Sequence, residues 1–401
     1  MFFFFFFYRA LIQQSASIDN TFIRISENNN AIKRRKTVEY PIKENDSLLL
    51  LNDQCLLHVF SFLNIFELLQ LEYVCFRFSE LISSHFYKLQ QIVDFNKFKE
   101  TCKISPRLVL IRIGKYIKEI TMSGAYNSSI INEFFEMIPE YCTNVEVLRF
   151  TNFQYSCELN LLQYLPIFKN LKILSLRNCF VLEETLLKCL EYAKSLQKLE
   201  LSMSNKLMGF CLTEIINLTH LSISKLNTID PANMSELFRN NQTLNYLNIS
   251  GCSGLNEKNI DDIVKYLINL ECLSVSDNTF IIDNQNNIRR LANFVKLKKI
   301  CLTSTHTIDT PFKELICDLS SNLGSLELFK IPISNGIMNS FRYDLKFKEL
   351  IIRDEDITDA IVYKILNCME ELTHLTLYYC PKLTNTGIIN LIKLRPTLEV
   401  C

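Results

Sequence analysis

The residue types that carry covalent or metal chemistry are plentiful in this chain but scattered. There are fifteen cysteines, and the closest two, Cys179 and Cys189, are ten residues apart. No CxxC pair is therefore present to hold zinc or to cycle as a dithiol. The five histidines, His58, His85, His220, His306 and His374, stand isolated from one another. No GxxxxGK[ST], HExxH or GxSxG occurs, and the eight glycines form no loop that could cradle a phosphate. A nucleophilic cysteine is the one catalyst such a composition leaves conceivable, yet nothing marks any thiol as activated. The expectation is a chain with no catalytic residue, no metal and no cofactor. Scattered thiols in a chain of this length act as small buried hydrophobes and suit a reducing compartment, so a cytoplasmic or nuclear location is expected.

Charge excludes further classes. Lysine plus arginine equals aspartate plus glutamate at 43 each, so no global field recruits nucleic acid or an anionic membrane. The aromatic start, Phe2 to Phe7 followed by Tyr8 and Arg9, has no basic opening and no small-residue cleavage site, and seven aromatics cannot span a bilayer. Residues 1–46 also carry Asn28 to Asn30 and the basic run Lys33-Arg34-Arg35-Lys36 with little apolar periodicity, which predicts a mobile tail. The basic run reads either as a solvated charge cluster or as a nuclear-import signal.

The elements that must position any functional residue are repeats. Leucine-like anchors recur at i, i+3 and i+5, as in Leu171/Leu174/Leu176, Leu196/Leu199/Leu201 and Leu372/Leu375/Leu377. First anchors run from Ile117 to Leu398 in eleven steps, a mean period of about 25.5 residues, inside the leucine-rich-repeat range. Alternating anchors describe a short strand buried on one face, and the stretches between strands switch to helical spacing. Ile260, Ile263, Val264 and Leu267 form one such stripe, and Phe312, Leu315, Ile316 and Leu319 another. Asp230-Pro231 and Thr310-Pro311 each place a capping side chain before a proline that needs no amide donor. The expected fold is α/β: a curved leucine-rich-repeat solenoid, with a concave parallel sheet and convex helices over 117–401, in about eleven units plus a truncated one. Cys179, Cys252, Asn278 and Cys380 stand at i+8, where a small polar side chain can bond backbone at the strand end.

Residues 51 to 78 are similar, without a gap, to the F-box pattern LPxEILxxIFSYLxxxDLLxxxxVCKxF. Matches fall at Leu51, Leu56, Val59, Phe60, Ser61, Leu63, Leu68, Leu69, Val74, Cys75 and Phe78, while Asn52 replaces the usual proline, Gln54 the usual acid and Phe76 the usual basic residue. The chain thus resembles the F-box and leucine-rich-repeat family, in its cysteine-containing repeat subtype. The resemblance implies a small three-helix F-box over 47–86, with 87–116 as connection and N-terminal cap. It also implies docking on the Skp adaptor through Leu51, Leu56, Val59, Phe60, Leu63, Leu68, Leu69, Val74 and Phe78, and through it association with a cullin and a RING subunit. From the residues alone, Leu56, Val59, Phe60 and Leu63 form one apolar stripe, and Val74, Phe78, Leu81 and His85 would form a later helical face. Three short helices cannot bury that much surface among themselves, so part of it is expected to await a partner. The rival expectation is that these helices cap the solenoid and the chain is a repeat scaffold acting outside a ligase.

A protein substrate would be held on the concave sheet. The i+6 row is small and uncharged through Ser202, Ser224, Ser250 and Ser276, whereas its far end carries Phe329, Arg353 and Tyr378. Those three fall on successive strands, about 4.8 Å apart. Aromatic and arginine side chains are the usual interface hot spots, so this far end is the expected substrate site.

Overall fold

The computed structural model describes residues 49–97, 106–124, 128–153, 168–203, 207–278, 285–291, 293–303, 323–329 and 346–401. The chain divides into two compact units, one from residues up to Lys118 with Glu140–Asn144, the other from Glu119–Pro139 with Val145–Cys401. The expected tail at 1–46 and the stripe Phe312, Leu315, Ile316 and Leu319 with its Thr310-Pro311 start lie outside the described residues.

In the first unit α1 (Asp53–Phe60), α2 (Ile65–Leu71) and α3 (Phe76–His85) are followed by β1 (Ile92–Asp94) and α4 (Pro106–Ile113). Asn52 caps α1 by accepting the Cys55 amide at 2.9 Å. Asn64 caps α2, and Glu67 returns the bond to the Asn64 amide at 2.8 Å, completing a capping box. The core is aromatic, with Phe60 edge-on to Phe78 at 5.1 Å and to Phe86 at 6.3 Å. Phe78 and Leu81 are buried as the helical face required. Val74 precedes α3 and His85 is exposed, because the helix begins only at Phe76 and His85 turns back to the Leu81 carbonyl.

The second unit is a parallel sheet in strict chain order, β2 (Glu119–Ser123), β3 (Val147–Thr151), β4 (Ile173–Arg177), β5 (Lys198–Ser202), β6 (His220–Ser224) and β7 (Tyr246–Asn248), then β8 (Cys272–Ser274), β9 (Lys299–Thr303), β10 (Ser325–Phe329), β11 (Glu349–Arg353), β12 (His374–Tyr378) and β13 (Glu399–Val400). Helices α5 (Ser128–Tyr141), α6 (Glu183–Tyr192), α7 (Pro231–Asn240), α8 (Glu257–Tyr266), α9 (Gln285–Leu291), α10 (Asp359–Cys368) and α11 (Asn385–Leu394) return the chain between strands. This is the curved repeat solenoid, strands concave and helices convex. Register places anchor on anchor: Leu148, Leu174, Leu199 and Leu221 are successive partners, and each is fully buried. Asp230 caps α7 ahead of Pro231, accepting the Ala232 amide at 2.7 Å.

Two devices end the strands. At i+8, the Cys179 thiol donates to the Phe150 carbonyl at 3.5 Å, the Cys252 thiol to Ile223 at 3.4 Å and the Asn278 amide to Ile249 at 2.7 Å. Each reaches back one coil to the same i+5 carbonyl. Cys380 instead donates to Tyr378 within its own coil. At i+7, Asn152, Asn178, Met203, Lys225, Gly251, Asp277 and Tyr379 all have φ between 53° and 68°. That left-handed residue turns the chain out of the strand, a conformation Gly, Asn and Asp adopt at low cost and a tyrosine or methionine does not.

Candidate functional site

The helical surface is built on a clamp that fixes its leading segment. Arg77, in the first turn of α3, donates Nε and Nη2 to Asp53 Oδ1 at 2.8 and 2.6 Å. It also donates Nη1 to the Leu49 carbonyl at 3.0 Å and Nη2 to the Leu51 carbonyl at 2.6 Å. A planar guanidinium has donors enough to hold all three groups at once. The segment before α1 has Asn52 where the F-box pattern has proline, and here the arginine supplies its restraint. Behind α3, Glu72 is buried and takes bonds from Tyr87 Oη, from Ser79 Oγ at 3.2 Å and from the Arg112 guanidinium at 3.2 Å. Burial, with the Glu72 carboxylate beside it, pushes the Tyr87 phenol well above its ordinary range.

The nine residues expected to meet an adaptor do not share one surface. Leu56, Phe60, Leu68, Leu69 and Phe78 are in the core of the unit, and Leu51, Val59, Leu63 and Val74 are half-buried. A helix pair that must first make its own core spends its largest side chains there. The apolar side chains left in water are others: Leu50 at 81%, Phe62 at 74%, Phe76 at 72% and Tyr73 at 53% exposed. Phe76, which stands where the pattern has a basic residue, is thus part of the available surface. The sequence stripe missed it because it lies off the helical period.

On the sheet, the centre is polar and already paired. Ser250 Oγ lies 2.9 Å from Ser274 Oγ, Asn248 donates to Ser222 Oγ at 3.2 Å, and the His220 ring stacks on Tyr246 at 5.5 Å. Burial, and then neighbouring Lys198, hold the His220 imidazole below its ordinary pKa. Charges flank this floor as internal pairs, with Arg177 on Glu200 at 2.7 Å and Lys299 on Glu327. Burial alone would raise the Glu200 carboxyl, but bonds from Ser175 and Arg177 outweigh it and hold the group below the usual range. Burial likewise pushes the thiols of Cys142 and Cys189 up to about 12, and those of Cys179, Cys252 and Cys272 up to about 11. At neutral pH these are thiols and not nucleophiles. No group of His, Cys, Asp or Glu among the described residues could hold a metal ion.

At the far end Phe329, Arg353 and Tyr378 are consecutive register partners across β10, β11 and β12. Arg353 and Tyr378 are exposed. The ring over which Arg353 lies, 5.7 Å from guanidinium carbon to centroid, is that of Tyr379 and not Tyr378. Tyr379 is the left-handed i+7 residue with φ 56° and is 73% exposed. Sequence reading passed it over because an i+7 side chain follows neither strand face. The recurrence of Asn, Asp and Gly at i+7 is the signal that could have found it.

No helix among the described residues is long and apolar enough to cross a membrane. No protein-family profile matches the chain, and no curated protein matches it in sequence. Its fold is similar over 98% of its length to 97% of a chain in the complex of Rad7 and Elc1 from yeast, with TM-score 0.55 and 16% identity. More distant likenesses are an internalin, InlF, of Listeria monocytogenes (TM-score 0.40, 18% identity, 76% of this chain and 85% of that one). Another is the leucine-rich-repeat protein LegL7 of Legionella pneumophila (0.44, 13%, 77% and 100%). At these identities the likeness is one of fold alone.

Proposed function

We propose that the chain is the substrate-recognition subunit of an SCF-type cullin-RING ubiquitin ligase. Residues 47–86 serve as an F-box that docks on the Skp adaptor, 87–116 connect it, and the repeats of 117–401 hold a protein substrate. The observation that carries the reading is the ungapped F-box pattern from Leu51 to Phe78 falling on α1, α2 and α3, with aromatic surface left over at Phe62, Tyr73 and Phe76. The chain of similar fold comes from a complex of two proteins, Rad7 and Elc1, which agrees with a partner-bound role. In this reading the chain breaks no covalent bond and needs no cofactor. It holds a substrate lysine near a ubiquitin thioester, replacing a bimolecular encounter by a high effective concentration. Arg353, with Phe329 and Tyr378 on the neighbouring strands and Tyr379 just past the end of β12, is the substrate-contacting surface.

The test is co-purification of the full chain with the Skp adaptor and a cullin. Both should be recovered with the wild type, and both lost with Phe62→Ala plus Phe76→Ala, whose exposed side chains the fold does not need. Wild-type protein that recruits neither subunit would overturn the ligase role. A second reading, a repeat scaffold capped by these helices, is favoured by the five motif residues that fill the unit's own core, and it predicts that outcome.

A further inference from the structure

The first unit holds a cavity of about 560 Å³, a volume within the range of ligand sites. None of the residues assigned to adaptor docking lines it. Three short segments of that unit form its walls: the end of α3 with the 3₁₀ turn Tyr87–Leu89, the end of α4 with the 3₁₀ turn Gly114–Tyr116, and Glu140 to Thr143 at the exit from α5. Gly114 permits the close approach of the last two, since a Cβ there would meet the Tyr141 Cβ and carbonyl oxygen at 2.8 Å. Asn144 fastens the same two walls by donating to the Lys115 carbonyl at 2.7 Å.

The lining joins rings to charge. Tyr87, Tyr116 and Tyr141 contribute the rings, with Leu110 and Ile111 between them in kind as aliphatic lining. One buried carboxylate sets two of the polar groups, because Glu72 takes both the Tyr87 hydroxyl and, at 3.2 Å, the Arg112 guanidinium. A guanidinium has more N–H donors than that contact uses, so Arg112 keeps some for a further acceptor. Lys115 forms no ion pair among the described residues and lies over the Tyr116 ring, 4.9 Å from its centroid. Glu140, the carboxylate in the lining, is bonded by the Tyr141 hydroxyl with Arg107 beside it. Counting the groups behind the walls, Arg107, Arg112 and Lys115 face Glu72 and Glu140, an excess of a single positive charge. The exposed charges next along the chain, Lys88 and Lys118 against Glu80 and Glu136, cancel.

We propose that this cavity receives the C-terminal residue of a partner protein, its aromatic side chain against the tyrosines and its free carboxylate on Arg112 and Lys115. The single negative charge of a chain end matches the excess in the lining. Arginine offers a carboxylate paired donors, and lysine adds a point charge. Shape selects a chain end over a free small molecule. The cavity opens to solvent along the exposed Ser83, Glu140 and Thr143, whereas small-molecule sites bury most of their ligand. A chain end needs such an opening for the residues that precede it. The site lies apart from the docking residues and the concave sheet, and it stands whether or not the chain acts in a ligase.

The test uses the full chain and a fluorescent peptide of about six residues, glycine and serine except for a C-terminal phenylalanine. Its controls are the same peptide with an amidated end and one that ends in glycine. The acid-ended phenylalanine peptide should bind with Kd below about 100 µM, and each control at least about tenfold more weakly. Lys115→Glu and Thr143→Glu, both at exposed positions, should each cost about tenfold by placing a carboxylate beside that of the peptide, with the melting temperature unchanged. Tyr116→Ala should cost as much. Should it also lower the melting temperature, the glycine-ended peptide reads the ring contact without altering the chain. Equal binding of the acid and the amide, binding unmoved by both glutamate variants, or an acid-ended peptide that does not bind below about 1 mM would overturn the proposal.

Discussion

The helical unit and the repeat array solve the same problem, orphaned backbone groups and short elements, by opposite means. In the helical unit each solution occurs once: one arginine, Arg77, holds three groups of the segment before α1, and one carboxylate, Glu72, gathers Tyr87, Ser79 and Arg112. In the array the solution recurs, because the i+8 side chain of one coil serves the i+5 carbonyl of the coil before it. A singular device makes a surface that a specific partner can read. A recurring one spreads stability over nearest neighbours and leaves the sheet surface free to vary.

Substitutions that remove one device in each region sharpen this contrast. The largest effect is expected in the helical core, where Phe60→Ala leaves a cavity against Phe78 and Phe86 and should cost about 3–5 kcal/mol. Hydrogen exchange should then rise through α1, α2 and α3 while the amides of β6 to β8 keep their protection. In the array, Asn278→Ala strands the Ile249 carbonyl and the Cys252 amide, both buried, and should cost about 2–3 kcal/mol. Its damage should extend to both neighbouring coils, read by exchange at β7 and β9. Loss confined to one coil would show that the coils do not share stability.

Arg77→Ala comes next. Its surface ion pair with Asp53 contributes little by itself, so melting should shift slightly. Skp-adaptor affinity should fall about tenfold, because the segment carrying Leu50 loses its restraint. Adding Asn52→Pro, compatible with its φ of −67°, should recover part of that loss by cutting the freedom of the unbound segment. An affinity untouched by Arg77→Ala would mean that the clamp serves folding alone. The smallest effect on stability belongs to Arg353→Ala with Tyr379→Ala at the far end of the sheet, where both side chains are exposed. Melting and adaptor binding should match the wild type while substrate capture, measured by degradation rate in cells, is lost. Unchanged degradation would move the substrate site away from this end.

Arg177 and Arg353 show how far sequence reading carries. Both fall at i+6 of their coils, and periodicity places both on the concave sheet. Only the packed array shows that Arg177 is neutralised by Glu200 on the next strand, whereas Arg353 makes no ion pair among the described residues and lies on Tyr379. The cause is register: which side chains meet across strands depends on how neighbouring coils align, and an i+7 residue in the left-handed region departs from the two-residue alternation that strand reading relies on.

By itself the sequence determined the repeat, its strand anchors and the i+8 bonds, because a period of about 25.5 residues with one-faced strands buries its leucines only by stacking. It also determined the three-helix segment, whose pattern and capping residues are local. The tertiary structure decided which apolar residues of that segment turn inward, giving Phe60 and Phe78 to the core and leaving Phe62 and Phe76 in water. The physical reason is that periodicity says that a side chain faces inward or outward, and only the packed neighbours decide whether anything is there to cover it.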